Sequence, residues 1–291
     1  MLSRSPAVAG DSRLAGLALV GAATILWSTA GFFTRAIALD LWTMMAWRSL
    51  FACLSLLALA GLQDGRRAFH LRRRLGLPGL VYVPTAAFGM VGYIAALRLT
   101  SVANVMTIYA TMPFFTAGIG WLLLRERVGR DALVAATACL AGVSLMAGSA
   151  TAPGDLAGNA LALAMTASFA ATVVMARRWR RLDVTLGIAV ASGLCALACG
   201  LLAQPILPEP ATLGLLFLFS LCTQSLSYIL FMAGGRLIPS AESGLIALLD
   251  VVLGPLWVWL VFAERPGPAA LAGGAITLAA VAWYLARQRS A

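Results

Sequence analysis

The feature that most constrains this chain is a succession of long apolar runs separated by short polar breaks. A hydrocarbon core about 30 Å thick takes roughly 20 residues of α-helix to cross, and helices satisfy their own backbone groups in lipid. We predict ten spans, at 14–36, 42–62, 76–98, 102–124, 130–150, 156–178, 184–204, 211–234, 241–263 and 267–287. The expected fold is therefore an all-α integral membrane protein with ten transmembrane helices.

The charged residues indicate how these spans are oriented. All 21 basic residues are arginine, and 17 of them lie at the two termini and in loops on one side of the predicted membrane. Arg35, Arg98 and Arg265 lie on the other side, and Arg48 lies inside span two. The positive-inside rule then predicts that both termini are cytoplasmic. The expected location of this multi-pass protein is the bacterial inner membrane. The net charge of +10 needs no nucleic-acid partner, and membrane lipids are the expected surroundings.

The chain also resembles itself at two offsets. An offset of 138 positions superimposes Tyr93–Asn104 on Phe231–Glu242, and an offset of 142 superimposes Thr24–Ala36 on Thr166–Arg178. These matches divide the chain into two repeats of five spans, 1–150 and 151–291. Because five is odd, the second repeat enters the membrane from the opposite side. Inverted repeats of this kind are typical of secondary transporters, whose substrate site lies between the halves.

Several motifs resemble one known family. They are "ILWSTAGFFTRA" in span one, "AWRSL" in span two, "ALRLTSVANV" entering span four and "PSAESGLIALLDVVLGPLWVWLVFAERP" in span nine. Over essentially its whole length the chain resembles the EamA family of the drug/metabolite transporter superfamily, and it looks closest to the YddG-type aromatic amino-acid exporters. The resemblance implies that spans five and ten are peripheral. The family usually places proline directly after an acidic residue, whereas here Asp250 precedes Val251 and the proline is Pro255, which moves the expected helix break one turn on.

Asp250 is the residue that most needs an explanation. It is the tenth residue of span nine, where an ionised carboxylate is costly unless it faces water, a cavity or a partner. Two roles are open: Asp250 lines a cavity, where it meets a substrate ammonium group or exchanges a proton, or it pairs with Arg48 of span two. Arg48 is itself either a cavity residue or a side chain that extends to the membrane surface.

Polar and aromatic side chains at helical spacing supply the remaining candidates. The further candidates for the substrate cavity are Trp27, Thr34, Tyr93, Asn104, Thr111, Gln224, Ser227, Tyr228, Phe231 and Trp257. For each aromatic residue, ordinary packing is the alternative. The candidates for gates or helix kinks are Pro84, Pro113, Pro255 and Glu242, since proline removes a backbone donor. Glu242 is alternatively an exposed carboxylate at a helix start.

The predicted function is that of a secondary transporter that exports small metabolites, and the expected substrates are amino acids with aromatic or other apolar side chains. An exporter of another amphipathic metabolite or drug is the first alternative, and a non-transporting scaffold or receptor is the second. No phosphate-binding loop, HExxH or GxSxG motif is present, so an enzyme, a metal and a cofactor are not expected. The expected partner is a small-molecule substrate, and the protein is expected to act as a monomer.

Overall fold

A computed structural model shows a chain built from helices and short connections. The structure describes residues 6–65, 71–125, 130–148, 155–204, 207–235, 237–238, 246–247 and 249–290. Within these ranges the regular secondary structure is helical and contains no β-strand. The predicted all-α class is therefore confirmed for the part of the chain that is described. Glu242 lies outside the described residues.

The described residues of the first predicted repeat form seven helices. They are α1 (Pro6–Ser28), α2 (Ala30–Ala36), α3 (Leu41–Asp64), α4 (Leu71–Leu99), α5 (Val102–Tyr109), α6 (Met112–Leu124) and α7 (Arg130–Gly148). Asp40 caps α3, because its carboxylate accepts hydrogen bonds from the backbone N–H groups of Trp42 and Thr43, both at 3.0 Å.

The second predicted repeat contains a π-helical turn among its α-helices. Its described elements are α8 (Asp155–Arg178), α9 (Val184–Leu202), α10 (Pro210–Ser220), the π-turn (Leu221–Leu226), α11 (Ser227–Gly235), α12 (Leu249–Phe262) and α13 (Pro268–Ser290). The π-turn continues directly from α10 into α11, so that the three elements form one rod. Such turns insert an extra residue into a helix and often occur at functional sites.

Seven helical segments are long and apolar enough to cross a membrane. They are Arg13–Ala36, Leu41–Gln63, Arg74–Leu99, Val102–Leu124, Asp155–Arg178, Val184–Leu202 and Pro210–Gly235. Their ends agree with predicted spans one to four and six to eight to within two residues. Helix α12, Leu249–Phe262, and the segment Pro268–Tyr284 of α13 are shorter apolar segments that lie in predicted spans nine and ten. The chain is a multi-pass membrane protein.

Two predicted spans are interrupted at threonine residues. In span one, α1 ends at Ser28 and α2 begins at Ala30, and the hydroxyl of the intervening Thr29 donates to the Leu26 carbonyl at 2.6 Å. In span four, the Thr111 hydroxyl donates to the Ile108 carbonyl at 2.6 Å, just before α6 begins. A threonine that bonds back to its own helix satisfies a carbonyl and bends the helix.

Of the three candidate prolines, Pro113 lies at one of these interruptions. Pro113 lies in the first turn of α6, four residues after Tyr109, the last residue of α5. Because proline has no N–H, it cannot bond the Tyr109 carbonyl, and the interruption of span four lies between these two residues. Pro84 and Pro255 lie inside α4 and α12, and both helices continue through them. The break that the sequence predicts near Pro255 is therefore wrong for the described residues. In α4 the non-helical residue is instead Gly76, with φ of +54°, which glycine adopts readily.

Helices from the two halves pack against one another in pairs. Helix α1 packs against α11, α3 against α9, α4 against α8, and α7 against α13. Glycine permits the close approaches: a Cβ on Gly142 of α7 would lie 2.8 Å from the Gly273 carbonyl of α13. A Cβ on Gly234 of α11 would lie 2.8 Å from the Gly16 carbonyl of α1. Small residues at such crossings are how membrane helices bring their backbones together.

An ion pair joins three segments at one end of the bundle. The Arg35 Nε, at the end of α2, lies 2.9 Å from Oε2 of Glu264, which follows α12. The Arg35 guanidinium also donates to the carbonyls of Leu97 and Thr100, and Glu264 accepts from the Val102 N–H at 3.3 Å. We call this set the Arg35–Glu264 clasp. It ties the ends of α2 and α12 to the turn between α4 and α5.

Candidate functional site

A cavity of about 250 Å³ lies between the helices of the two halves. That is space for on the order of ten non-hydrogen atoms, if each takes about the volume of a water molecule. The cavity is lined by Trp27, Ala30, Arg48, Met90, Tyr93, Tyr109, Phe169, Ile188, Thr223, Gln224, Tyr228, Ala247 and Asp250. Helices α7 and α13 contribute none of these lining residues, which agrees with the peripheral position expected for spans five and ten.

Arg48 of α3 brings a buried cation to the wall of this cavity. Its side chain is only 5% exposed. Nη2 donates to the Thr223 hydroxyl at 3.2 Å, and the guanidinium carbon lies 4.6 Å from the centre of the Phe219 ring. Nε is buried and has no hydrogen-bond partner among the described residues. Both of the contacts to Arg48 come from neutral groups, and a buried cation normally requires an anion.

Asp250, the second residue of α12, brings a carboxylate to the same wall. It is 8% exposed, and its Oδ1 is buried without a hydrogen-bond partner among the described residues. Arg48 and Asp250, both described, do not form an ion pair with each other. The cavity lining therefore holds a guanidinium group and a carboxyl group that do not pair with each other.

Aromatic rings form the apolar part of the cavity wall. Tyr93, Tyr109 and Phe169 contact one another, with ring centres 6.1 to 6.4 Å apart. Across the cavity lining, Trp27 packs on Phe231 with ring centres 5.0 Å apart. Rings at such distances gain from edge and tilted contacts and keep a rigid shape. The lining thus combines a preformed aromatic surface with two charged side chains.

The π-turn places two polar side chains beside Arg48. Thr223 and Gln224 both line the cavity, although they are adjacent in sequence. The Gln224 Nε2 donates to the Ser192 hydroxyl of α9 at 2.9 Å, which fixes the orientation of the amide. The Gln224 Oε1 is buried and has no donor among the described residues. The cavity lining therefore carries both an unused acceptor and an incompletely bonded guanidinium.

Six of the predicted cavity candidates lie together on this lining: Trp27, Arg48, Tyr93, Gln224, Tyr228 and Asp250. The others lie elsewhere. Phe231 packs behind Trp27, and the Trp257 Nε1 donates to the Ser28 hydroxyl at 2.8 Å. Ser227 is fully buried and is not among the lining residues.

Three further candidates serve the helix backbone rather than the cavity lining. The hydroxyls of Thr34 and Thr111 donate to carbonyls of their own helices. Asn104 lies in the first turn of α5, where its amide donates to the Thr100 hydroxyl at 3.1 Å. Asn104 is therefore part of the end of the bundle that carries the Arg35–Glu264 clasp.

Several lining residues were missed from the sequence, and the internal repeat holds the signal for some of them. The offset of 142 that matches Thr24 with Thr166 also matches Trp27 with Phe169. The offset of 138 matches Met90 with Tyr228 and Tyr109 with Ala247. All six of these residues line the cavity. Thr223 carries no such signal, because a π-turn cannot be read from helical periodicity.

The described side chains offer no metal site. No three His, Cys, Asp or Glu residues in the described part of the chain lie close enough together to hold a metal ion. The five cysteines are free thiols. The chemistry available at the cavity is therefore charge pairing, hydrogen bonding and contact with aromatic surface.

A polytopic helical membrane protein with a solute-sized, charged and aromatic cavity is the class that this fold and site define. Residues 14–148 are similar to the EamA-like transporter family. The chain is similar in structure to a protein of known crystal structure, with a TM-score of 0.65 and 20% sequence identity. The match covers 97% of this chain and 99% of the other protein's chain. At that identity the likeness concerns the fold alone. No curated protein sequence matches the chain.

Proposed function

We propose that this protein is a secondary transporter that exports amphipathic amino acids by alternating access between two inverted five-helix halves. The observation that carries the proposal is the cavity in which Arg48 and Asp250 lie buried, unpaired with each other, beside an aromatic wall. A free amino acid offers one anionic and one cationic group to such a pair of charges. Aromatic or other apolar side chains suit the rings of Tyr93, Tyr109 and Phe169.

The composition of the cavity lining supports the proposal that the chain consists of two equivalent halves. Three pairs of lining residues are related by the offsets of the internal repeat: Trp27 with Phe169, Met90 with Tyr228, and Tyr109 with Ala247. A cavity built from corresponding positions of two repeats is expected if a two-fold axis passes through it. The charges do not follow this symmetry, because one half supplies Arg48 and the other supplies Asp250.

Helix packing supports the same arrangement. In a five-plus-five repeat, α1 and α2 together correspond to α8, and α5 and α6 together correspond to α12. Helix α4 corresponds to the rod formed by α10, the π-turn and α11. The contact between α1 and α11 then corresponds to the contact between α8 and α4. In the same way, the contact between α1 and α12 corresponds to the contact between α8 and α6. The α3–α9 and α7–α13 contacts each correspond to themselves. This packing is unchanged when the halves are exchanged.

The proposed orientation has both termini on the cytoplasmic, arginine-rich side of a bacterial inner membrane. Contacts between loops are consistent with it. Arg74 and Asp183, which belong to two predicted cytoplasmic loops, form an ion pair at 2.9 Å. The Thr100 hydroxyl and Asp155, which belong to two predicted outer loops, are hydrogen-bonded at 2.8 Å. Each contact joins segments that the arginine distribution assigns to one side.

Flux measurements test the proposal directly. The purified chain, reconstituted into liposomes, is expected to move tryptophan, phenylalanine or leucine faster than protein-free liposomes do, and to move glucose 6-phosphate poorly. A phosphate ester needs several basic groups, whereas Arg48 is the one arginine among the described residues of the cavity lining. Flux of an amphipathic drug but of no amino acid would favour the alternative substrate class. Absence of flux for every solute, with the fold intact, would favour a scaffold or receptor.

A glycine behind the aromatic wall allows the size of the cavity to be tested. A Cβ on Gly89 of α4 would lie 2.8 Å from Cε1 and 2.9 Å from Cδ1 of Phe169. Gly89→Ala is therefore expected to push the Phe169 ring toward the cavity and to lower tryptophan flux more than valine flux. Gly21→Ala is the matched control, because no atom lies within 4 Å of its added methyl group. An equal loss for both substrates would contradict a substrate contact at Phe169.

A further inference from the structure

We propose that Arg48, together with Thr223 and Gln224 of the π-turn, forms a carboxylate-binding subsite within the cavity. The proposal rests on the proposed function and names the head group that the transporter recognises. A substrate would place its carboxylate on Arg48 and direct an N–H group toward the Gln224 Oε1. Its apolar side chain would lie along the aromatic wall.

The state of the Arg48 side chain is the first argument. A cation that is 95% buried is costly unless an anion or a full set of hydrogen-bond acceptors compensates it. Here a neutral hydroxyl at 3.2 Å and the face of Phe219 at 4.6 Å provide partial compensation, and Nε has no acceptor among the described residues. A carboxylate matches the planar fork of a guanidinium and would complete its bonding.

The π-turn supplies the second argument. It places Thr223 and the adjacent Gln224 on the lining together, which the spacing of an α-helix does not favour. The Gln224 amide is held through its Nε2 by Ser192 at 2.9 Å, so that Oε1 remains as a buried acceptor without a donor. An amino group beside the bound carboxylate would supply that donor. The subsite therefore has complementary groups for both ends of an amino-acid head group.

Three ligands that share one phenyl side chain separate the contributions. Phenylalanine carries both head groups, 3-phenylpropanoate carries only the carboxylate, and phenethylamine carries only the amine. Their affinities for the purified full chain in detergent would be measured by equilibrium binding. Phenylalanine is expected to bind the natural protein at least about tenfold more tightly than phenethylamine, since hydrogen bonds to charged groups are individually strong.

Two variants then test Arg48 itself. Arg48→Gln is expected to lower the affinity for phenylalanine and 3-phenylpropanoate at least about tenfold and to leave that for phenethylamine within about twofold. Thr223→Asp places a carboxylate where the Thr223 hydroxyl now meets Nη2. It is expected to keep or raise thermal stability while abolishing 3-phenylpropanoate binding. This second variant retains Arg48, so it remains informative where Arg48→Gln does not fold.

The outcomes distinguish this subsite from the proposed function. If the natural protein binds none of the three ligands, the proposed amino-acid transport fails, and the subsite fails with it. If it binds phenylalanine and phenethylamine equally well, the transporter stands and the carboxylate subsite is overturned. An equal loss of all three ligands in Arg48→Gln, or unchanged 3-phenylpropanoate binding in Thr223→Asp, also overturns it.

Discussion

Asp250→Asn is expected to leave the protein folded and to lower amino-acid flux at least about tenfold, the loss that corresponds to about 1.4 kcal/mol of binding free energy. The fold is expected to survive because the amide is nearly isosteric with the carboxylate. Asp250 also forms no ion pair with Arg48, and its buried Oδ1 has no partner among the described residues to lose. Replacing an unpaired buried charge by a neutral group reduces its desolvation cost.

The loss of flux is expected because a neutral amide attracts a substrate ammonium group much less than a carboxylate does. Thermal unfolding in detergent and flux into liposomes would be measured on the same preparation. Asp40→Asn is the matched control, since Asp40 caps α3 and asparagine caps helices about as well as aspartate. This control should retain both stability and flux.

Two results would contradict this account of Asp250. A fall in the free energy of unfolding of roughly 3–5 kcal/mol would mean that the change strands a buried cation, as expected if Asp250 pairs with Arg48. Unchanged flux in a stable protein would mean that the carboxylate does not contact the substrate. The sequence alone left the pairing open, and the described geometry favours the cavity.

The spans were predictable because they depend on a single strong requirement. Lipid demands about 20 apolar residues in a helix, and seven predicted spans agree with the observed segments to within two residues. The interruptions depend on weaker and more local interactions. Thr29 and Thr111 bond back to their own helices, whereas Pro255, the more obvious signal, lies in an uninterrupted α12.

The candidate site was predictable where the helices remain regular. Trp27 and Asp250 were chosen by helical spacing and depth, and both line the cavity. Ser227 is fully buried although it shares a predicted helix face with Gln224 and Tyr228. Thr223 lies in the π-turn, which helical periodicity does not predict. Tyr109 and Phe169 required the packing of α4, α5 and α8, although the internal repeat already matched Phe169 with Trp27.

The Arg35–Glu264 clasp closes one end of the bundle. Glu264→Gln is expected to favour the conformation in which that end is open. If transport proceeds by alternating access, α2 and α12 must part from the α4–α5 turn at that end, and the clasp can exist only while it is closed. Arg35 bonds Glu264 at 2.9 Å and also the Thr100 carbonyl at 3.2 Å. The Arg35 and Glu264 side chains are 24% and 28% exposed, so the pair is partly screened by solvent.

The size of the expected shift follows from the bonds that the variant weakens. A loss of about 1.4 kcal/mol from the closed state alone would raise the ratio of open to closed protein about tenfold. Phe33 of α2, Val102 of α5 and Val258 of α12 belong to one buried hydrophobic core. Parting these helices must therefore disturb this core as well. The clasp adds to the stability that the core already gives the closed conformation.

The measurement is the rate at which a membrane-impermeant thiol reagent modifies a cysteine at position 30, in a chain whose five native cysteines are replaced by serine or alanine. Ala30 lines the cavity and is small enough for the exchange. Reagent added from the clasp side should react about tenfold faster in Glu264→Gln than in the parent chain. Asp183→Asn weakens the ion pair with Arg74, at the end of the bundle that is predicted to be cytoplasmic, and should not increase the rate from the clasp side. Equal rates for Glu264→Gln and its parent would mean that the clasp stabilises the fold without controlling access to the cavity.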